Sequence, residues 1–177
     1  MPRNNSLSRP IFSNEQIFRP YHPPEYPLAR DEELGKLKWG IGRPFRNDAP
    51  ENIAITGKPG TGKTITVKYL MQQLSELENY TGPIYSIYYS LGSTPTSHAT
   101  ATQLFDELTR RADINTPFNP RDESTTNVIS GIVDCLKRLS GYTIFVLDDI
   151  RDIGKTDEFF ERFLNELAQI YPDTRAT

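Results

Sequence analysis

The apolar positions of this chain switch repeatedly between two patterns. Some form short continuous runs, and others recur every three or four residues over longer stretches. Continuous runs suit strands covered on both faces, and the recurring stripes suit helices with one buried side. Leu34, Leu37 and Ile41 predict a short helix from about Asp31 to Trp39 that stops at Gly40. The segment 43–52 reads as a loop, and Asn52-Ile-Ala-Ile-Thr56 as a short buried strand. Val67, Leu70, Met71, Leu74 and Leu77 then lie on one side of a helix that begins near Lys63. Gly82-Pro83 opens a second strand rich in Ile and Tyr, ending at Ser90. Leu104, Phe105 and Leu108 mark another helix, followed by loop chemistry from Ile114 to Pro120. Ser124 or Thr125 caps the next helix, whose face is Val128, Ile129, Ile132, Val133, Leu136 and Leu139. Tyr142 to Asp149 is a third strand, and Phe159, Phe160, Phe163, Leu164, Leu167 and Ile170 form a last stripe, stopped at Pro172. Strands alternating with helices predict an α/β fold with a parallel sheet.

Residues 1–28 carry six prolines and no sustained period, and read as an extended arm ahead of a domain over 29–177. With 177 residues, 36% hydrophobic and 24% charged, the chain has the composition of one soluble globular domain. Its net charge of −3 provides no global field toward nucleic acid or membrane. No run approaches the ~20 apolar residues of a membrane span, and no signal peptide opens the chain, so a cytoplasmic location without membrane partners is expected. The one cysteine, Cys135, falls on an apolar helix face and reads as a small core residue. His22 and His98 stand alone in loop-like sequence and do not suggest a metal. The tyrosines of the second strand read as core rather than as a platform for bases.

Chemistry concentrates in Gly57-Lys-Pro-Gly-Thr-Gly-Lys-Thr64, which fits G-x-x-x-x-G-K-[ST] between a strand and a helix. Glycines let backbone N–H groups close on phosphates, and the following helix turns its positive end to the anion. The nucleotide-binding set is Gly57, Lys58, Pro59, Gly60, Thr61, Gly62, Lys63, Thr64 and Ile65. Lys63 reaches the terminal phosphates, and Thr64 ligates Mg²⁺. The strand ending in Asp148 puts a carboxylate at the sheet edge where α/β folds bind ligands. Asp148 is the second metal residue, and Asp149 the carboxylate that orients or activates a water, so the catalytic pair is Lys63 and Asp149. Gly154 follows Arg151 where GTP switch proteins need Asp-x-x-Gly, and Gly154-Lys-Thr-Asp157 lacks the Asn of a guanine motif, so ATP is preferred.

The layout resembles the archaeal origin-recognition and replication-initiator ATPases of the AAA+ superfamily. The similar segments are "IFSNEQIFRPYHPPEYPLARDEELGKL", "PENIAITGKPGTGKT" and "IFVLDDI", and the resemblance covers about residues 11–171. It implies a P-loop NTPase three-layer sandwich, with Tyr26, Pro27 and Arg30 lining the adenine site. It also implies control of origin DNA binding by ATP, and a DNA contact within roughly 91–120. The chain departs from the pattern in two ways. Asp149 stands where the family usually has Glu, one methylene longer. The chain also reaches Thr177 without the family's sensor strand, lid or winged helix and with no identifiable arginine finger, so the resemblance implies a partial domain, incomplete at its C-terminus.

The leading expectation is therefore an initiator-type nucleotide-binding segment that binds Mg·ATP and hydrolyses it slowly or not at all alone. Its expected partners are ATP or ADP, origin DNA in a full-length form, and a full-length AAA+ relative. The alternatives are a non-enzymatic ATP-responsive regulatory module, or an unrelated stand-alone P-loop ATPase or kinase. A further expectation concerns the sheet. Without a strand between them, 52–56 and 142–149 either pair directly, displacing Asp148, or leave unpaired backbone that makes the chain marginal or dependent on a partner strand.

Overall fold

A computed structural model describes residues 27, 29–46, 48–92, 96–150 and 157–170. Apart from Pro27, the arm lies outside the described residues, as does the Pro172 stop. Five α-helices and two strands are described: α1 (Asp31–Ile41), α2 (Lys63–Thr81), β1 (Ile84–Ser90), α3 (Ser97–Arg111), α4 (Thr125–Arg138), β2 (Tyr142–Asp148) and α5 (Asp157–Ile170). β1 and β2 pair in parallel, in a register that sets Ile84 opposite Tyr142 and Ser90 opposite Asp148. The α/β class with parallel strands is thus the observed one.

Side-chain alternation along the strands divides the molecule into layers. Ile84 of β1 and Ile144 of β2 face one side, where they pack with Leu37 of α1 and Leu70 and Leu74 of α2. Ile87 and Tyr89 of β1, with Phe145 and Leu147 of β2, face the other and join α3, α4 and α5. That second side holds the larger core. Leu104, Leu108, Val128, Ile129 and Ile132 are fully buried there, each contributing about 1.5–3 kcal/mol through area removed from water. Phe163 ties α5 to the sheet, edge-on to Phe145 at 5.3 Å and stacked on Phe159 at 5.5 Å. Cys135 is buried, and burial pushes its thiol pKa up, as a core residue requires.

Capping follows the sequence closely. Ser124, not Thr125, caps α4: its Oγ accepts from the Asn127 N–H at 3.2 Å. Thr96 does the same for α3 through Ala99 at 3.1 Å, each such cap contributing about 1 kcal/mol. Gly40 does not stop α1, which runs on to Ile41. A Cβ on Gly40 would lie 2.7 Å from Ile53 Cδ1, the movable tip of a partly exposed side chain, so the glycine sits within the helix against 52–56 rather than at its end.

Segment 52–56 is the main departure. It forms no strand, and Ile53 and Ile55 are each 41% exposed. A strand exists through its ladder, and among the described residues this segment has no ladder partner, so of the two expected outcomes direct pairing with β2 does not occur. β2 pairs on one edge only among the described residues, and it is half-buried along its whole length rather than covered. No helix among the described residues is long and apolar enough to cross a membrane.

Thr100 of α3 is 1% exposed, and its hydroxyl has no hydrogen-bond partner among the described residues. Thr100→Val keeps the shape and removes the unsatisfied group. It should raise the unfolding free energy by about 1 kcal/mol, read from urea denaturation; a lower midpoint would show that the hydroxyl is satisfied in solution.

Candidate functional site

The glycine loop runs from Gly57 into the first turn of α2. Gly57, Gly60 and Gly62 adopt φ of +154°, +76° and +84°, regions that side chains avoid. A Cβ on Gly57 would also meet Thr61 Oγ1 at 3.3 Å. The loop is held by its own groups. Thr61 donates from its hydroxyl to the Lys58 carbonyl at 2.8 Å. The Lys63 ammonium folds back to donate to the carbonyls of Gly57 at 2.8 Å and Lys58 at 2.9 Å. Residues 57–60 and Ile65 are exposed, so the concave loop opens to solvent at the positive end of a 19-residue helix.

The start of α1 reaches the loop through its N-cap residue, Arg30. Its guanidinium donates to the Thr61 carbonyl and pairs with Glu33 at 2.7 Å. Pro27 is buried, and Tyr26 lies outside the described residues. A link between residues 31 positions apart brings the start of α1 against the glycine loop.

At the end of the sheet, the Asp148 carboxylate gathers three donors. Its Oδ2 accepts from Thr64 Oγ1 at 2.8 Å and from the Tyr88 hydroxyl at 2.7 Å. Its Oδ1 accepts from the Asp149 N–H at 2.8 Å. Burial works to raise the pKa of this carboxyl. The Tyr88 and Thr64 hydroxyls, the Asp149 N–H and the charge of Lys68 outweigh burial, and hold the carboxyl below its ordinary value. Asp148 is therefore an anion at neutral pH. Sequence placed Thr64 and Asp148 in one metal site, and the fold brings them into contact across 84 residues.

Thr64 and Asp148 supply hard oxygen donors at the mouth of the loop. That chemistry fits Mg²⁺, which takes one or two protein oxygens and completes its shell with water and phosphate. No cluster of three or more metal-ligating side chains occurs among the described residues. Asp149 follows directly, half-buried, with φ +57°. Aspartate visits this left-handed region more readily than most residues, a preference that the pattern of apolar positions does not register.

Two participants escape the sequence. Tyr88 reads as one more core tyrosine, and no motif singles out Lys68. In the fold, the Lys68 ammonium lies 5.1 Å from the Tyr88 ring centroid. The neighbouring Tyr89, on the opposite face, does pack with the core. Among the basic residues near 91–120, Arg110 and Arg111 pair with Glu107 at 2.6 and 2.9 Å, and Arg121 pairs with Asp106 at 2.6 Å. His98 donates from Nε2 to the Glu123 carbonyl at 2.8 Å.

Residues 46–176 match the AAA domain family. ORC1-type DNA replication proteins are similar over most of the chain. That of Thermococcus onnurineus is 27% identical over 84% of this chain and 35% of its own length. That of Archaeoglobus fulgidus, ORC1-type DNA replication protein 1, is 29% identical over 85% of this chain and 36% of its own. The chain thus spans about a third of the length of these relatives. Among solved structures, the Aeropyrum pernix ORC1 protein in complex with DNA superimposes with a TM-score of 0.67. It is 23% identical, over 86% of this chain and 39% of that one, which speaks to the fold.

The lowered pKa of Asp148 sets a pH dependence. A carboxyl whose folded pKa lies below its ordinary value of 3.8 contributes stability above that value, and loses it as pH falls through the folded pKa. In metal-free buffer, wild type should be more stable than Asp148→Asn at neutral pH, with the difference shrinking as pH falls below the ordinary value of 3.8. Urea unfolding across that range checks it; a difference independent of pH would show that the carboxylate's charge is not the stabilising element.

Proposed function

Since the chain belongs to the AAA domain family, we propose that it is the ATP-binding segment of a DNA replication initiator, one that binds Mg·ATP and hydrolyses it slowly or not at all alone. The similarity to ORC1-type replication proteins bears out the resemblance read from the sequence. The observation that carries the site reading is the direct contact of Thr64, at the start of α2, with Asp148, at the end of β2.

Nucleotide binding exchanges one set of acceptors for another. The Lys63 ammonium leaves the carbonyls of Gly57 and Lys58 for phosphate oxygens, gaining charge-assisted contacts. The loop N–H groups and the positive end of α2 receive the remaining phosphate charge. Thr64 and Asp148 hold Mg²⁺, which neutralises phosphate charge when bound. Arg30, already on the loop at Thr61, lines the expected adenine site beside the loop. Asp149 orients a water by accepting its proton, and the left-handed backbone there favours Asp over the longer Glu. Origin DNA enters as a partner of a full-length form. The ion pairs of Arg110, Arg111 and Arg121 leave the 91–120 region without a strong positive surface of its own.

Lys63→Ala should weaken Mg·ATP binding by at least tenfold, the loss of about 1.4 kcal/mol or more from a charged contact. Titration of a fluorescent ATP analogue, with GTP as competitor, reads it. Unchanged affinity in the variant would remove the loop assignment, and GTP competing as well as ATP would remove the preference for adenine.

Single-turnover hydrolysis distinguishes an ATPase from a non-enzymatic ATP-responsive module. Asp149→Asn keeps the left-handed preference while removing the charge, and should lower hydrolysis by about 10²-fold or more. Asp149→Glu should raise it if reach limits the water's position, at a cost of about 1–2 kcal/mol in backbone strain. Measurable hydrolysis that neither substitution alters would exclude Asp149 as the water-positioning carboxylate.

A further inference from the structure

Tyr88 stands in β1 opposite Val146, and Asp148 stands two positions further along β2, opposite Ser90. Equal parity puts both on the α2 side of the sheet, where the phenol donates to Asp148 Oδ2 at 2.7 Å. The same oxygen receives the Thr64 hydroxyl at 2.8 Å. Lys68, one turn after Thr64 on α2, lies over the Tyr88 ring at 5.1 Å. α2 therefore touches the β1 tyrosine and the β2 carboxylate at once, through Lys68 and Thr64.

We propose that Tyr88 is a positioning residue for metal-dependent nucleotide binding, acting through the Asp148 carboxylate. This role presupposes that the site binds Mg·ATP. A carboxylate turns readily about its last bond, and only its hydrogen bonds hold it at one angle. Thr64 can donate its O–H to Oδ2 and still present a lone pair to the ion, but that hydroxyl is then shared between carboxylate and metal. The Asp149 N–H holds Oδ1. Tyr88 supplies a second restraint on Oδ2, from β1 and independent of the metal-ligating hydroxyl. A neutral phenol is a weak ligand for Mg²⁺, so its O–H stays directed at the carboxylate. Lys68 over the ring face braces the phenol against rotation from the α2 side.

The test titrates a fluorescent ATP analogue against wild type, Tyr88→Phe and Tyr88→Leu, in EDTA and across a series of Mg²⁺ concentrations. Tyr88→Phe should match wild type in EDTA and need about tenfold more Mg²⁺ for half of the metal-dependent gain in affinity, the effect expected of one charge-assisted hydrogen bond. Tyr88→Leu should show the same displacement of the Mg²⁺ midpoint. A wild-type midpoint in Tyr88→Phe, with displacement only in Tyr88→Leu, would assign the effect to the ring's packing and overturn the proposal. Equal losses in EDTA and in Mg²⁺ would mean general distortion and overturn it as well. Wild type that binds no ATP analogue in either condition would instead remove the Mg·ATP site itself, an outcome separable from failure of Tyr88 alone.

Discussion

The Asp148 carboxylate is the point at which the elements of the site meet. It ends β2, receives the hydroxyl of β1 through Tyr88, and receives the hydroxyl at the start of α2 through Thr64. Without an anion there, the first turn of α2 and the sheet would be joined mainly by apolar packing near Leu70, Leu74 and Ile84. Apolar packing fixes distance but not angle. A charged acceptor with three directional donors fixes both, and it does so where the glycine loop needs a firm floor.

The sheet divides labour between its faces. On one side, Ile87, Phe145 and Leu147 bury themselves with α3, α4 and α5, and no polar chemistry is asked of them. On the other, apolar contacts at the start of the strands give way to Tyr88 and Asp148 at their ends. This gradient follows from parallel pairing. Both strands deliver their C-terminal ends to one edge, so polar side chains placed there converge. The helix that starts beside that edge, α2, brings its unpaired N–H groups to the same place.

Membership of the AAA domain family and similarity to ORC1-type replication proteins give this arrangement its family context. Strain enters at Asp149, which adopts a left-handed backbone immediately after Asp148. Aspartate tolerates φ near +57° better than most residues do.

The sequence by itself determined whatever depends on local spacing. The stripes of α2, α4 and α5, the run of β2, the Ser124 cap, the burial of Cys135 and the glycine loop were all legible, because each is set by neighbours three or four residues away. The pairing of Thr64 with Asp148 was legible as chemistry, since two motifs with one ligand in common must meet. Tertiary structure decided the rest. Gly40 lies inside α1 rather than ending it, and the tip of Ile53, thirteen residues on, packs close against it. Residues 52–56 have the composition of a strand but no partner for its hydrogen bonds among the described residues, and composition cannot supply a partner. Tyr88 and Tyr89 are indistinguishable as adjacent tyrosines in one strand; only the register of β1 against β2 sends the first to a carboxylate and the second to the core. Register is a relation between segments nearly sixty residues apart, and no local pattern encodes it, because the free energy that fixes it arises only when both faces of the sheet are covered.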